Sequence, residues 1–204
     1  MNKKFEREVL ILRPTWRVVC RDYFCMAPVD LILCGFAWDR SSGGAYIWRY
    51  ALPLYDRTPV SLLFGQRLAY PEDFLEMAKG SEPAAATEFV SRIARYEAQV
   101  MKLREPAAFL TYVESLDSFR NPWARRGYAM TLIMLGRTTE AASQIDRLMR
   151  DEPIDDIPGF RDDMAYIAHE LSVDPSSAVS TLRKWAVDNR RALGIQDDRD
   201  SSVS

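Results

Sequence analysis

Arg49 and Arg67 stand among aromatic residues, Trp38, Trp48 and Tyr55, in the first third of the chain. A guanidinium group pairs a carboxylate through two parallel N–H groups and stacks on rings. This set could therefore hold an anion or an acidic partner. If the segments carrying Arg49 and Arg67 pair as strands, both arginines could face one side of a sheet, with Arg40 nearby. The alternative is that they lie along the sheet rim with their stems on apolar surface, or pair with acidic helices.

Other chemistry has fewer candidates. Cys20, Cys25 and Cys34 are spaced five and nine apart, unlike a paired zinc-ligand motif, and read as structural thiols. His169 is the only histidine and sits in "AYIAHELS", which has helical periodicity; a nucleophile would need it as base. The second histidine of a helix-borne zinc-protease motif is missing. Asp155-Asp156 fall in a loop, and Asp162-Asp163 in an early helix turn, where negative charge suits the helix dipole. "SSGGA" lacks the lysine and spacing of a phosphate-binding loop and reads as a hairpin turn. The expectation is no catalytic residue, no metal and no cofactor.

The elements that must position the arginines change rhythm near residue 70. Before it, apolar residues alternate or run together. Residues 5–12 carry a short helical pattern ended by Pro14. Residues 16–27 fit a helix or a strand, and their aromatic and β-branched content favours strand. Residues 31–39, 45–55 and 60–68 read as three sequential strands, joined by "RSSGG" and "DRTP". In the middle strand Tyr46, Trp48, Tyr50, Leu52 and Leu54 share one face, read as core. Ala45, Ile47, Arg49, Ala51 and Tyr55 share the other. Pro53 places an edge or a bulge near its position.

After residue 70 the spacing is helical. Helices are expected from 83, 106, 121, 138, 159 and 174, several opening on proline, with apolar stripes such as Phe89, Ile93, Tyr96 and Val100. Six helices with short loops would make three hairpins of about 35 residues, the period of a helical array. The expected fold is α+β: an antiparallel sheet of three or four strands with a short helix in residues 1–70, helical hairpins in 71–195, and a loose polar tail, 196–204.

The stretch "RGYAMTLIMLGRTTEAASQIDRLMRDEP", residues 126–153, resembles a tetratricopeptide repeat. Ala129 and Ala141 take its small positions, Leu132 and Ile145 its large ones, Gly136 the turn glycine and Pro153 the closing proline. Arg125, Tyr128 and Leu148 depart from the pattern. The resemblance implies a helical hairpin and a family that binds peptides or proteins on a concave surface. The N-terminal half is similar, through "ILCGF", "WRYALPLY" and "FGQRL", to small bacterial α+β domains of unknown function, some near toxin–immunity loci.

Bulk properties bound the function. Hydrophobic residues at 48% and charged residues at 27% suit a folded globular chain. Residues 1–67 hold ten basic against six acidic side chains, and residues 68–204 hold 17 against 23. The basic excess is scattered, so nucleic acid is not expected. No apolar run is long enough to cross a membrane. An odd cysteine count and the absence of a leader pattern point to the cytoplasm; the Arg-rich, Ala-rich composition goes with a bacterial source. The expectation is a non-enzymatic protein-interaction module. The alternatives are an immunity-type protein whose acidic half neutralises a basic toxin, and a small-ligand or anion site on the sheet.

Overall fold

A computed structural model describes residues 3–20, 22–57, 64–78, 80–151, 154 and 157–195. Residues 60–63 of the expected strand 60–68, part of the "DRTP" turn, Pro153, Asp155-Asp156 and the expected tail lie outside these.

The fold is α+β. It opens with α1 (Lys3–Leu12) and runs through β1 (Trp16–Cys20), β2 (Tyr23–Met26), β3 (Ile32–Ser41), β4 (Gly44–Pro53), β5 (Gly65–Arg67) and β6 (Phe74–Glu76). The helices follow: α2 (Glu82–Lys102), α3 (Pro106–Glu114), a 3₁₀ turn at Asp117–Arg120, α4 (Pro122–Met134), α5 (Thr138–Asp151), α6 (Phe160–Val173) and α7 (Pro175–Ala192).

All strand pairs are antiparallel, in the order β1-β2-β3-β4-β5, with β6 on the same side of β4 as β5 but nearer the β3–β4 turn. The sheet has six strands rather than the three or four expected. Residues 16–27 contribute two, because the chain reverses at Asp22 (φ 69°), a left-handed position that Asp tolerates and that no glycine announces. β6 is only three residues long, too short to show a period.

Cross-strand pairing sorts the side chains into two faces. Trp16 and Val18, Phe24, Phe36 and Trp38, Ala45, Ile47 and Arg49, Gln66 and Leu75 lie on the first. Helices α1 and α2 cover it: Phe5 meets Trp38 at 4.9 Å and Phe89 at 5.6 Å between ring centres, and Phe24 meets Phe89 at 5.5 Å. The expected core face of β4 is reversed near the hairpin turn. Ala45 and Ile47 are fully buried, whereas Tyr46 and Trp48 are half-buried. Small residues on β4 leave room for Phe5, Trp38 and Phe89 on the same side. Towards Pro53 both faces are buried, through Tyr50, Ala51 and Leu52.

The helical region begins as read. Asn121 caps α4 by accepting from the Trp123 N–H at 2.9 Å, and Asp174 caps α7 by accepting from the Ser176 N–H at 2.9 Å. Gly136 (φ 72°) makes the turn between α4 and α5. Helix α4 lies at the centre, against α3, α5 and α7.

The end of β4 is where sheet and helices meet. The Tyr55 hydroxyl and Thr131 Oγ1 are 2.8 Å apart, and the Asn189 amide donates to the carbonyls of Leu54 (2.7 Å) and Asp56 (2.6 Å). Arg126 of α4 is fully buried, 2.7 Å from Asp56 and 3.2 Å from Asp163, with its guanidinium 5.2 Å from the Trp123 ring centre and 5.1 Å from that of Phe160. The buried apolar residues of sheet and helices form one continuous core.

Candidate functional site: the second face of the sheet

The five residues singled out in the sequence do not converge. In register, Trp48 lies opposite Arg67 and Arg49 opposite Gln66, so the two arginines occupy opposite faces. Arg49 is on the helix-covered face. It donates to Gln66 Oε1 through Nε (3.1 Å) and Nη2, and through Nη1 to Gln99 Oε1 on α2 (3.2 Å). Its guanidinium is 6.0 Å from the Tyr112 ring. It ties β4 and β5 to the helices. Trp38 is buried under Phe5, with Arg40 over its ring at 4.9 Å. Tyr55 lies beyond β4, buried against Thr131. Only Trp48 and Arg67 come together.

They do so on the second face, within an ordered set. One row crosses four strands: Tyr23 on β2, Ala37 on β3, Trp48 on β4 and Arg67 on β5. At the usual strand spacing it spans about 14 Å. Ala37, between two aromatic residues, is buried; Tyr23 and Trp48 are half-buried. The neighbouring row holds Asp39, Tyr46 and Phe74, and the Tyr46 and Phe74 rings meet edge-on at 5.0 Å. The row on the other side runs Arg17, Cys25, Gly35, Tyr50, Gly65.

That last row explains how the face is kept open to large rings. Tyr50 reaches across β3 at Gly35, and its hydroxyl donates to the Phe24 carbonyl at 3.2 Å. Tyr23 packs edge-on against it at 5.2 Å. A Cβ at Gly35 would stand 1.9 Å from the Phe24 carbonyl oxygen, so only glycine fits.

Arg67 is exposed and its guanidinium lies 3.8 Å from the centre of the Tyr46 ring and 5.3 Å from that of Trp48. Among the described residues no carboxylate pairs with it. Stacking occupies the faces of the guanidinium plane and leaves its in-plane N–H groups for a bidentate acceptor. The Trp48 indole N–H is covered and has no acceptor among the described residues. The residues that sequence reasoning missed here, Tyr23, Tyr46 and Phe74, lie on strands whose register the sequence left open.

Burial raises the Cys25 thiol to about 11, opposed in part by Arg17, and burial also raises Cys34 and Cys20. Such thiols are poor nucleophiles at neutral pH. Asp163 is committed to Arg126 and to Arg57, at 2.7 Å. His169 lies exposed on α6. Among the described residues no cluster of His, Cys, Asp and Glu could hold a metal ion, and no helix is long and apolar enough to cross a membrane. The chain matches no protein-family model, no curated protein and no solved structure.

Proposed function

We propose that the chain is a non-enzymatic interaction module that docks an acidic segment of a partner protein on the second face of the sheet. The observation that carries this reading is Arg67: a cation stacked on Tyr46 and Trp48, exposed, and without a carboxylate partner among the described residues. A partner carboxylate would pair its free N–H edge, and apolar or aromatic side chains would sit over Trp48 and Tyr23. The α4–α5 hairpin, with Ala129 and Ala141 fully buried, is proposed as a tetratricopeptide-like scaffold beside this surface.

Two rival classes are less favoured. Single-stranded nucleic acid also uses aromatic sheets, with bases stacked flat on the rings. Here Tyr46 and Phe74 pack edge-on against each other, which is not the flat stack that bases need. An immunity-type role would use an acidic helical surface. Several of those acids already pair with arginine, as Glu88 with Arg92, Glu140 with Arg137 and Asp188 with Arg191.

Selection from a displayed random-peptide library tests the reading. The expected result is enrichment of acidic peptides whose affinity falls about tenfold or more in Arg67→Gln, the loss of a charge-assisted pair. Peptides bound equally well by that variant, or retention of oligo(dT) in place of any peptide, would overturn it.

A further inference from the structure

A cleft lies away from the sheet face, between the segment that follows β4 and helices α6 and α7. It encloses about 440 Å³ and is lined by Arg57, Tyr166, Lys184, Trp185, Asp188 and Asn189. That volume is within the range of small-molecule sites.

Its walls are fixed by contacts already described. Asn189 spends its amide on the carbonyls of Leu54 and Asp56, holding that segment against α7. Arg57 is anchored at one N–H by Asp163, which the buried Arg126 holds in turn. A guanidinium has five N–H groups. The Arg57 side chain stays 64% exposed, so donors remain for a ligand. Lys184 is exposed and has no ion-pair partner among the described residues. The one carboxylate in the lining, Asp188, is paired with Arg191 at 3.2 Å. The cleft therefore presents one cation without an ion pair, Lys184, and the free donors of Arg57, while each carboxylate beside it, Asp163 and Asp188, is paired with arginine. Trp185 is half-buried and Tyr166 is 49% exposed, which supplies ring surface beside the charge.

We infer that this cleft binds a small molecule carrying a flat ring and an anionic group, with Lys184 and Arg57 on the anion and Trp185 and Tyr166 against the ring. A ring stacks on aromatic side chains in a partly desolvated site, and an oxyanion takes charge-assisted donors there. Neither half alone accounts for a lining that sets Lys184 and the remaining N–H groups of Arg57 beside exposed aromatics.

The test uses phenyl phosphate as the probe, with phenol and inorganic phosphate as its separated halves, titrated into the full chain while the Trp185 indole N–H resonance is followed by NMR. Phenyl phosphate should shift that resonance saturably. Phenol and phosphate should each bind at least tenfold more weakly, and Lys184→Gln should weaken phenyl phosphate about tenfold. Because Lys184 is exposed, circular dichroism should show the variant folded as the parent. The inference is overturned by no shift up to about 10 mM probe, by phenol binding as well as phenyl phosphate, or by an affinity unchanged in Lys184→Gln. Since the sheet face is untouched by this substitution, peptide binding there should not change.

Discussion

Replacing Asp56 with Asn should destabilise the chain by about 3 kcal/mol, at the lower end of the cost of breaking a buried ion pair. The Arg126 side chain is 0% exposed and that of Asp56 3%, with 2.7 Å between them. At this separation, with an effective dielectric near 20, two unit charges attract by several kcal/mol. The lost carboxylate leaves a buried guanidinium whose remaining acid, Asp163, is farther away at 3.2 Å and shared with Arg57. That residual pairing keeps the loss at the lower end. Asp163→Asn should cost less, about 1–2 kcal/mol, because Arg126 keeps its closer partner and Arg57 is largely exposed. Arg126→Met should be severe, since it removes the buried cation that both Asp56 and Asp163 face. The double variant Asp56→Asn/Arg126→Met should then cost less than the sum of the single changes by about 2 kcal/mol or more, the signature of a directly coupled pair. Urea unfolding followed by far-ultraviolet circular dichroism gives these values. For a chain of 204 residues, 3 kcal/mol corresponds to a fall in Tm of about 6–12 °C. A cost below about 1 kcal/mol for Asp56→Asn, or a larger cost for Asp163→Asn, would refute the assignment of Asp56 as the principal partner.

Two further outcomes follow from the packing. Gly35→Ala should cost about 4 kcal/mol or more, because the clash at 1.9 Å is with backbone that cannot turn aside; a urea midpoint unchanged from the parent would contradict it. Burial raises the phenol of Tyr112 from near 10 to about 12, with Arg49 opposing, and burial raises Tyr50 and Tyr55 as well. A phenol whose folded value is raised contributes stability that is complete below about pH 10 and lost as pH rises through the folded value, up to about 3 kcal/mol for Tyr112. Stability should therefore fall between about pH 10 and 12, and a phenolate absorbance rise at 295 nm from these three tyrosines should accompany unfolding; their full ionisation in the folded chain would contradict it.

Much of the architecture was legible because it is written locally. Asn121-Pro122 and Asp174-Pro175 mark helix starts in four letters, and the caps form as those residue types require. The stripe Phe89, Ile93, Val100 is buried as its spacing demands. The candidate site was less legible because it depends on register. Arg49 and Arg67 sit on separate strands, and whether they share a face turns on a single-residue offset that no local signal carries. The faces of β4 misled for a different reason. Tyr46 and Trp48 are larger and aromatic, yet the smaller pair, Ala45 and Ile47, faces the helices, where Phe5, Trp38 and Phe89 already fill the space. Arg126 did leave a signal: it stands four and seven residues before Met130 and Ile133, on a stripe that is otherwise apolar and buried. A lone cation on such a stripe needs carboxylates brought to it from elsewhere in the chain.

The central claim is that the second face of the sheet is the docking surface and that Arg67 anchors an acidic partner segment. An NMR chemical-shift map of the chain titrated with an acidic peptide from the library selection tests it most directly. The account predicts that the shifts cluster on Tyr23, Ala37, Tyr46, Trp48 and Arg67 and that Arg67→Gln needs about tenfold or more peptide to reach them. Shifts confined to α5, α6 and α7, with the sheet unperturbed, would contradict it.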